Sequence, residues 1–255
     1  MSAPSSTRFD LTGKVALVTG GSRGLGREMV LAFAAAGADV IIASRKLDAC
    51  EELAARVEAD HGRAALAVGC HVGHWEEVGN LADAAYARFG RVDVLVNNAG
   101  MSPLYDSLES VSEELYDKVF GVNLKGPFRL SAIVGSRMAA GDGGSIINVS
   151  SMASMRPSPN ELPYAAAKAG LNVITEGMAR AFGPKVRVNC IVAGPLLTDI
   201  SKAWDMPAFE RNAKHSIALQ RGGRPDEVVG AALYFASDAS SFTTGALLRI
   251  DGGSG

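Results

Sequence analysis

The chain has 255 residues, of which 47% are hydrophobic and 20% are charged, and its formal net charge is −2. This composition is ordinary for a globular protein with a substantial apolar core. The nearly balanced charge gives no reason to expect nucleic acid or an anionic membrane as a partner.

The three cysteines, Cys50, Cys70 and Cys190, lie far apart and form no CxxC pair. Their spacing argues against a zinc cluster or a disulfide framework, so we expect no metal, and it fits a reducing compartment. The first residues lack the apolar core of a signal peptide. No stretch approaches the roughly 20 apolar residues of a membrane span. We therefore expect a cytoplasmic protein.

Short apolar runs alternate with helix-length segments along most of the chain. Strands are predicted at residues 15–19, 40–44, 65–68, 92–97, 145–149, 187–192 and 247–250. The first two helices are predicted at residues 26–36, ended by Gly37, and at residues 47–61. Continuous apolar strands imply burial on both faces, so the pattern predicts an α/β fold. Its sheet is expected to be doubly wound and mostly parallel (Rossmann-type), with helices on both faces of a single domain.

The first predicted strand runs into the segment TGGSRGLG at residues 19–26, which we call the glycine turn. Its glycines at positions 20, 24 and 26 allow a tight turn and let a pyrophosphate approach the backbone. The helix that follows offers free N–H groups and the positive end of its dipole to an anion. Glycine also serves any sharp turn. The strand before and the helix after favour nucleotide binding.

The second predicted strand ends in Ser44-Arg45-Lys46, without an acidic residue. A site that prefers NAD places Asp or Glu there for the ribose 2′-hydroxyl, whereas a nearby Arg accommodates the 2′-phosphate of NADP. A guanidinium binds phosphate in a bidentate manner, and Arg23 would add a second positive group. We therefore expect NADP (NADPH) in preference to NAD. The alternative is that Arg45 and Lys46 are solvated residues at a helix start.

Tyr164 and Lys168 lie four residues apart in the run YAAAK and share one face of a predicted helix. A neighbouring ammonium favours the phenolate, so it would lower the pKa of the tyrosine toward neutrality. Such a pair by itself is usually a surface pair. The segment SIINVSS at residues 145–151 delivers Ser151 to the carboxyl end of a buried strand, where α/β sheets bind ligands. Ser151 would polarise a substrate oxygen or, alternatively, cap a loop.

Together, these motifs resemble those of the short-chain dehydrogenase/reductase family, in its compact single-domain branch. The resemblance covers residues 14–253 and includes the glycine turn, NNAG at 97–100, VNLKG around Asn123, YAAAK at 164–168 and IDGG at 250–253. It implies that Tyr164 is the general acid/base and that Ser151 orients the substrate carbonyl. Lys168 would bind the nicotinamide ribose and lower the pKa of Tyr164, and Asn123 would hold a water of a proton relay.

The resemblance also implies the residues that contact the cofactor. They are Gly20, Ser22, Arg23, Gly24, Leu25, Gly26, Ser44, Arg45, Lys46, His71, Val72, Asn98, Ala99, Gly100, Tyr164, Lys168, Ile191, Gly194 and Thr198. Asn97 would stabilise the central strand. Two positions depart from the family pattern: His71 stands where an Asp is common, and Ala193-Gly194-Pro195 replaces the usual Pro-Gly. Because Pro restricts itself and its predecessor, the second change affects the loop's entry angle.

The family's properties imply two further expectations. The segment at about residues 195–216, with Ile200, Trp204 and Phe209, would close over the substrate as a lid of the single dinucleotide-binding domain, residues 1–255. The structural alternative is that its apolar side chains pack onto the domain or a neighbouring subunit. A homotetramer would form through two long helices at about residues 111–139 and 164–182.

The sequence thus predicts an oxidoreductase that transfers a hydride between NADP(H) and a small-molecule ketone or secondary alcohol, as a carbonyl reductase working in the reductive direction. One alternative is an NAD-linked dehydrogenase that oxidises a sugar acid or alcohol. A second, of another class, is a dinucleotide-binding protein that senses redox state without turnover. The presence of Asn123, Ser151, Tyr164 and Lys168 together favours an enzyme.

Overall fold

The computed structural model describes residues 8–198, 201 and 204–254. Its centre is a seven-stranded sheet in the order β3-β2-β1-β4-β5-β6-β7, with all neighbouring strands parallel. The strands are β1 (Val15–Thr19), β2 (Asp39–Ser44), β3 (Ala65–Gly69), β4 (Val94–Asn97), β5 (Gly144–Ser151), β6 (Val186–Ala193) and β7 (Leu247–Ile250). The predicted doubly wound α/β class is confirmed, and each predicted strand boundary lies within two residues of the observed one.

Helices cover both faces of this sheet. They are α1 (Gly24–Ala35), α2 (Leu47–His61), α3 (Trp75–Phe89), α4 (Glu113–Phe120), α5 (Gly126–Ala140), α6 (Leu162–Phe182), α7 (Met206–Ser216) and α8 (Val229–Ala236). The second helix has its predicted bounds. The first begins earlier than predicted, inside the glycine turn, so its amino terminus lies closer to β1 than the sequence indicated.

Two apolar clusters, one on each face, explain the continuous apolar strands. In β1, Leu17 belongs to the cluster that contains Leu81 and Leu130, whereas its neighbour Val18 belongs to the cluster that contains Phe33. Successive side chains of a strand point to opposite faces, and here both faces are covered by helices. Each fully buried side chain of this size contributes about 1.5–3 kcal/mol to folding.

The strand order reverses direction between β1 and β4. From β1 the chain proceeds outward through β2 to β3, then returns to pair β4 with the other side of β1. The loops that leave β1 and β4 therefore run to opposite sides and open a crevice at the carboxyl edge, the usual ligand position in such sheets.

The helix predicted at about residues 111–139 is divided in the structure. Ser112 caps α4 by accepting a hydrogen bond from the backbone N–H of Leu115. A five-residue π-helical segment, Gly121–Lys125, then separates α4 from α5. Single turns of this kind recur at functional sites because they reorient a side chain within a helix. Asn123 is in this segment.

Part of the expected lid lies outside the described residues, namely Asp199, Ile200, Lys202 and Ala203. Beyond them, Asp205 caps α7 by accepting a hydrogen bond from the backbone N–H of Ala208. The rings of Trp204 and Phe209 lie 5.3 Å apart between centroids.

Among the helices that the structure describes, none combines the length and the apolar character needed to cross a membrane. Cys50, Cys70 and Cys190 are buried free thiols.

Candidate active site

The glycine turn is shaped by backbone conformations and close approaches that exclude side chains. Gly20 and Gly24 have φ values of 62° and 53°, in the left-handed region that favours glycine. A Cβ on Gly26 would collide with the carbonyl oxygen of Gly20. The N-cap of α1 is Arg23, whose side chain does not cap the helix. The first N–H groups of α1 are therefore placed to receive an anion.

The NNAG segment is tied directly to the glycine turn. The amide nitrogen of Asn98 donates to the carbonyl oxygens of Thr19 and Gly20, at 2.9 and 3.1 Å. The backbone N–H groups of Asn98 and Ala99 donate to the Thr19 hydroxyl, at 3.0 and 3.2 Å. These bonds hold the ends of β1 and β4 together where the crevice opens.

Asn97 belongs to a buried polar chain that crosses the sheet. Its amide nitrogen donates to the hydroxyl of Ser131 on α5 and to the side-chain oxygen of Asn148 on β5, both at 2.8 Å. Asn148 in turn donates to the Thr175 hydroxyl on α6, at 2.9 Å. The chain links the helices of one face through two central strands, and its buried polar groups satisfy one another.

The end of β2 presents hydroxyl and cationic groups. The Ser22 hydroxyl donates to the Ser44 hydroxyl at 3.0 Å, which connects the glycine turn to this strand end. The Ser44 hydroxyl also lies 3.1 Å from the Lys46 carbonyl oxygen. Arg45 and Lys46 are exposed. The structure thus brings the predicted cofactor residues of β2 next to the glycine turn.

His71, after β3, is held by its own turn. Its Nδ1 accepts a hydrogen bond from the backbone N–H of Gly73 at 3.1 Å, so the neutral ring carries its proton on Nε2. The ring stacks on His74 at 4.2 Å, and the backbone N–H of His71 donates to the Glu77 carboxylate at 2.7 Å. Burial, with the nearby His74 and Arg45, lowers the pKa of His71. The next residue, Val72, is buried.

Ser150 and Ser151, at the carboxyl end of β5, serve different partners. The Ser150 hydroxyl donates to the Lys168 carbonyl oxygen at 3.2 Å. The Ser151 hydroxyl accepts from the backbone N–H of Ala153 at 3.2 Å, which caps the 3₁₀ turn Met152–Ser154. Ser151 also lies near enough to Tyr164 to lower the pKa of its phenol. Ser151 therefore caps this turn, as the alternative interpretation predicted, and also lies beside Tyr164.

Lys168 is almost fully buried, with 3% of its surface exposed. Its ammonium donates to the Val149 carbonyl oxygen at 2.7 Å and lies 5.8 Å from the centroid of the Tyr164 ring. Burial lowers the pKa of Lys168 to about 8, because the charged form loses its hydration. The predicted pair thus shares one face of α6 beneath the end of β5.

The pKa of Tyr164 is raised to about 12, opposite to the direction predicted from the sequence. Burial is the largest cause, the Ser151 hydrogen bond opposes it, and the Glu161 carboxylate adds to it. Lys168, whose ammonium donates to the Val149 carbonyl oxygen, is not among the causes of this shift in the pKa of Tyr164. Tyr164 is therefore protonated at neutral pH.

Asn123 holds the loop after β4 against the π-helical segment. Its amide nitrogen donates to the carbonyl oxygens of Met101 and Val119 at 2.8 and 2.9 Å, and its side-chain oxygen accepts from the Met101 N–H at 3.2 Å. A Cβ on Gly100 would lie 3.1 Å from the Asn123 oxygen and 3.6 Å from the Lys168 ammonium. Gly100, Asn123 and Lys168 therefore meet at one point.

The loop after β6 passes over the glycine turn. Gly194 is packed so tightly that a Cβ there would collide with the backbone of Asp251. Its N–H donates to the Ile250 carbonyl oxygen at 2.9 Å, which fixes the direction of the exit. Further on, the side chain of Thr198 lies 3.6 Å from the Cβ position of Gly24. Ile191 is fully buried within β6.

Three residues that the sequence did not single out belong to this region. The Tyr105 hydroxyl accepts from the backbone N–H of Leu162 at 2.8 Å and donates to the Pro159 carbonyl oxygen at 2.6 Å, so it fixes the start of α6. Glu161 and Tyr164 line the same hollow as Tyr105. Asn172 lies one turn beyond Lys168. Of the three, only Asn172 could have been identified from the sequence, because it follows Lys168 by four residues and so shares its helix face.

These features fit a nicotinamide dinucleotide. Three positions on one edge, Gly20, Gly26 and Gly100, are places where a Cβ would meet backbone or side-chain atoms. The uncapped start of α1 suits a pyrophosphate. A phenol, a hydroxyl and an ammonium lie further along the same edge, at the ends of β5 and α6, and suit proton exchange with a substrate oxygen.

Comparisons with known proteins agree with this arrangement. A family model described as enoyl-(acyl carrier protein) reductase matches residues 20–254. The short chain dehydrogenase/reductase astE of Aspergillus oryzae is 37% identical over 251 residues, which cover 96% of this chain and 96% of the relative. The chain belongs to the short-chain dehydrogenase/reductase family, whose members bind a nicotinamide dinucleotide. It is an oxidoreductase of alcohols or ketones, with a small-molecule substrate.

Solved structures extend the likeness to the whole fold. A 7α-hydroxysteroid dehydrogenase complexed with NADH and 7-oxo glycochenodeoxycholic acid is 32% identical with a TM-score of 0.94, covering 99% of this chain and 98% of that one. An NADPH-dependent 3-quinuclidinone reductase from Rhodotorula rubra is 30% identical with a TM-score of 0.92, covering 99% and 96%.

Proposed function

We propose that the protein is an NADP-dependent carbonyl reductase that converts a ketone to a secondary alcohol. The observation that carries this proposal is the proximity of Ser151 to Tyr164 beside the buried Lys168, at the carboxyl edge that the glycine turn also occupies. Two proteins of the same fold, the hydroxysteroid dehydrogenase and the quinuclidinone reductase, are named for substrates of this chemical kind.

The dinucleotide would be held by the residues predicted from the sequence. The glycine turn and the start of α1 would receive the pyrophosphate, and Ser44, Arg45 and His71 surround the position of the adenosine half. Gly100, Lys168 and Thr198 would face the nicotinamide half. When bound, the nicotinamide ring supplies or accepts the hydride.

Tyr164 would deliver the proton to the substrate oxygen. Because its pKa is raised to about 12, it is a phenol at neutral pH and is ready to donate during carbonyl reduction. Ser151 would donate a second hydrogen bond to the same oxygen and so stabilise the negative charge that develops there. Because Ser151 lies beside the phenol of Tyr164, one substrate oxygen can reach both hydroxyls.

Lys168 would hold the nicotinamide ribose and, with the dinucleotide bound, would face the phenolate that remains after proton transfer. An ammonium held in a buried site interacts more strongly with a new negative charge than it would in water. Two hydrogen bonds of Asn123 hold the loop at Met101, and a third, to the Val119 carbonyl oxygen, ties Asn123 to α4. Its proposed part is to order a water that returns a proton to Tyr164.

NADP is proposed over NAD because of Arg45 and Lys46, which follow the hydroxyl of Ser44 where a preference for NAD would call for a carboxylate. A reduced cellular NADP pool would then favour ketone reduction. The second candidate is an NAD-linked dehydrogenase. It is supported by the NADH complex of the similar hydroxysteroid dehydrogenase.

We also propose a homotetramer that packs through α4, α5 and α6. Tyr116, Phe128 and Val173 on these helices are exposed apolar side chains, the last with 72% of its surface accessible. Such exposed apolar side chains on the proposed packing helices would be covered in the assembly. Light scattering at micromolar concentration tests the proposal, and a monomer would contradict it.

The test of function is a panel of ketones and secondary alcohols, each assayed by nicotinamide absorbance with NADPH and with NADH. Tyr164→Phe should lower turnover about 100- to 10,000-fold, because the proton donor is removed, while dinucleotide affinity changes little. Full turnover by this variant would overturn the assignment of Tyr164. Tight dinucleotide binding without turnover of any compound would favour the redox sensor.

A further inference from the structure

The α6 face that carries Tyr164 and Lys168 continues for one more turn, to Asn172. These three residues are spaced at four-residue intervals and therefore lie above one another on the helix. Asn172 is buried, with 9% of its surface exposed. Its amide nitrogen donates to the Ser154 hydroxyl at 2.9 Å. A buried amide of this kind stays in a protein interior only where its partners are fixed.

The hydrogen bond from Asn172 leads to the serine of the candidate site. The Ser154 hydroxyl donates to the carbonyl oxygen of Ser151 at 2.6 Å. Ser154 ends the 3₁₀ turn Met152–Ser154, whose first residue directly follows Ser151. Asn172 and Ser154 together therefore connect α6 to the backbone of Ser151.

A third contact fixes the orientation of the Asn172 amide. The thiol of Cys190, on β6, donates to the side-chain oxygen of Asn172 at 3.6 Å. Burial raises the pKa of Cys190 to about 12, so the group is a thiol and remains a donor. Because the Ser154 hydroxyl gives its proton to Ser151, it accepts from the amide nitrogen of Asn172, and the amide oxygen faces Cys190.

We propose that Asn172 is a positioning residue, which acts through Ser154 to orient the Ser151 hydroxyl toward Tyr164. The inference rests on the proposed function and adds to it the structural origin of the Ser151–Tyr164 contact. Tyr164, Lys168 and Asn172 then form one functional face of α6. The first two serve the reacting oxygen directly, and the third holds the serine that faces them.

Loss of this support has a specific electrostatic consequence. The Ser151 hydrogen bond lowers the pKa of Tyr164, against the opposing effect of burial. If the Ser151 backbone relaxes, this bond weakens and the pKa of Tyr164 rises further. In alcohol oxidation, where the phenolate is the base, the activity would then rise only at higher pH than in the unchanged protein.

The test compares Asn172→Leu with Asn189→Leu. Asn189 is a matched control because it is fully buried, and its amide donates to the Thr243 carbonyl oxygen at 2.9 Å and accepts from the Ala246 N–H at 3.0 Å, near β7. Both variants lose a buried amide and some stability. Only Asn172→Leu should lower kcat, by about 10- to 100-fold for a misplaced reacting group, with KM and dinucleotide affinity nearly unchanged and the oxidative pH profile moved upward.

A double-mutant cycle gives the second measurement. Ser154→Ala should reproduce the effect of Asn172→Leu, and the combined variant should be no worse than either, because both interrupt one connection. Ser154→Thr keeps the hydroxyl and should retain the pH profile of the unchanged protein. Equal kcat and pH profiles for Asn172→Leu and Asn189→Leu, or additive losses in the cycle, would overturn the proposal. If instead Tyr164→Phe retains turnover, the proposed function itself fails.

Discussion

The glycine turn and the α6 face with Tyr164 and Lys168 lie at the same edge of the sheet, but different physical means shape them. In the glycine turn, the important feature is the absence of side chains at its glycines. Left-handed φ values at Gly20 and Gly24 and the contact of Gly26 with Gly20 determine where the backbone runs. On α6, the important features are side chains whose charges are perturbed by burial.

The electrostatic environments differ in the same way. Arg45 and Lys46, near the glycine turn, are exposed to water, where an ammonium or guanidinium keeps its hydration. On α6, burial lowers the pKa of Lys168 to about 8 and raises that of Tyr164 to about 12. In both cases burial favours the neutral form. We call the glycine turn with the end of β2 the proposed binding half, and the α6 face the proposed reacting half. The binding half therefore depends on backbone geometry, and the reacting half depends on side chains whose charged forms have lost their hydration.

The largest effect is expected from Lys168→Met, which removes the buried charge from the reacting half. Turnover should fall about 100-fold or more, since the ammonium proposed to face the phenolate during proton transfer is lost. Dinucleotide affinity should change less. Single-turnover kinetics with a substrate found in the panel measure the first quantity, and fluorescence titration measures the second. Normal turnover by the variant would contradict the role of Lys168.

The same variant tests the desolvation of Lys168 through stability. The folded-state pKa of about 8 lies below the ordinary value of 10.5. Between these values, the unfolded chain binds the proton and the folded chain does not, so raising the pH through this window stabilises the fold. The unfolding free energy of the unchanged protein, relative to Lys168→Met, should therefore increase there by up to about 3 kcal/mol. Parallel pH curves from urea unfolding would contradict it.

The second effect is expected from Gly26→Ala, which adds one methyl group to the binding half. The new Cβ would press on the carbonyl oxygen of Gly20 and the amide of Asn98, and neither can move freely. Overpacking of about 1–3 kcal/mol should weaken dinucleotide binding about 10- to 100-fold. Gly79→Ala in α3 is the control, because a Cβ there meets nothing within 4 Å. Equal affinities for the two variants would show that the glycine turn tolerates side chains.

The difference between the two halves also explains which features were predictable from the sequence. The glycine turn, the doubly wound α/β class and the Tyr164–Lys168 spacing could be predicted. They depend on glycines and on the periodic spacing of residues, which a sequence displays directly. The direction of the Tyr164 pKa was predicted wrongly. It depends on burial, on Ser151 and on Glu161, whose effects are set by packing that spacing alone does not reveal.

Contacts between distant segments were likewise beyond the sequence. The bond of Tyr105 to the start of α6 joins residues 57 positions apart. The π-helical segment at Gly121–Lys125 interrupts a run that reads as one helix, because local propensity does not register a change from four- to five-residue bonding. Asn172 was visible as a spacing, but its connection to Ser151 passes through a turn of another element.

The third effect is expected from Arg45→Asp, which reverses a charge at the end of β2. The loss of a charged hydrogen bond to phosphate, worth about 1.5–3 kcal/mol, should weaken NADPH binding about 10- to 100-fold. NADH affinity should hold or improve, because a carboxylate at this position can accept from the ribose hydroxyl. Arg88→Asp on α3, also exposed, makes the same change in net charge. A similar loss for both variants and both cofactors would contradict a specific phosphate contact.

The smallest effect is expected from Glu161→Gln, which alters the field at Tyr164 without touching its hydroxyl. The Glu161 carboxylate raises the pKa of Tyr164, and burial raises the pKa of Glu161 itself. With the charge removed, the pKa of Tyr164 should fall, so the oxidative activity should rise at lower pH than in the unchanged protein. Glu176→Gln removes the same charge from an exposed position on α6 and should leave the profile in place.

The pH dependence of this shift identifies its cause. Once the pH falls below the pKa of Glu161, the carboxyl group of the unchanged protein is neutral and resembles glutamine, so the two proteins should converge. Above that pH they should differ. A constant difference across the whole range would indicate an altered shape of the hollow shared by Tyr105, Glu161 and Tyr164 instead of an altered charge. A shift toward higher pH would contradict the assigned direction, because a carboxylate can only disfavour a neighbouring phenolate.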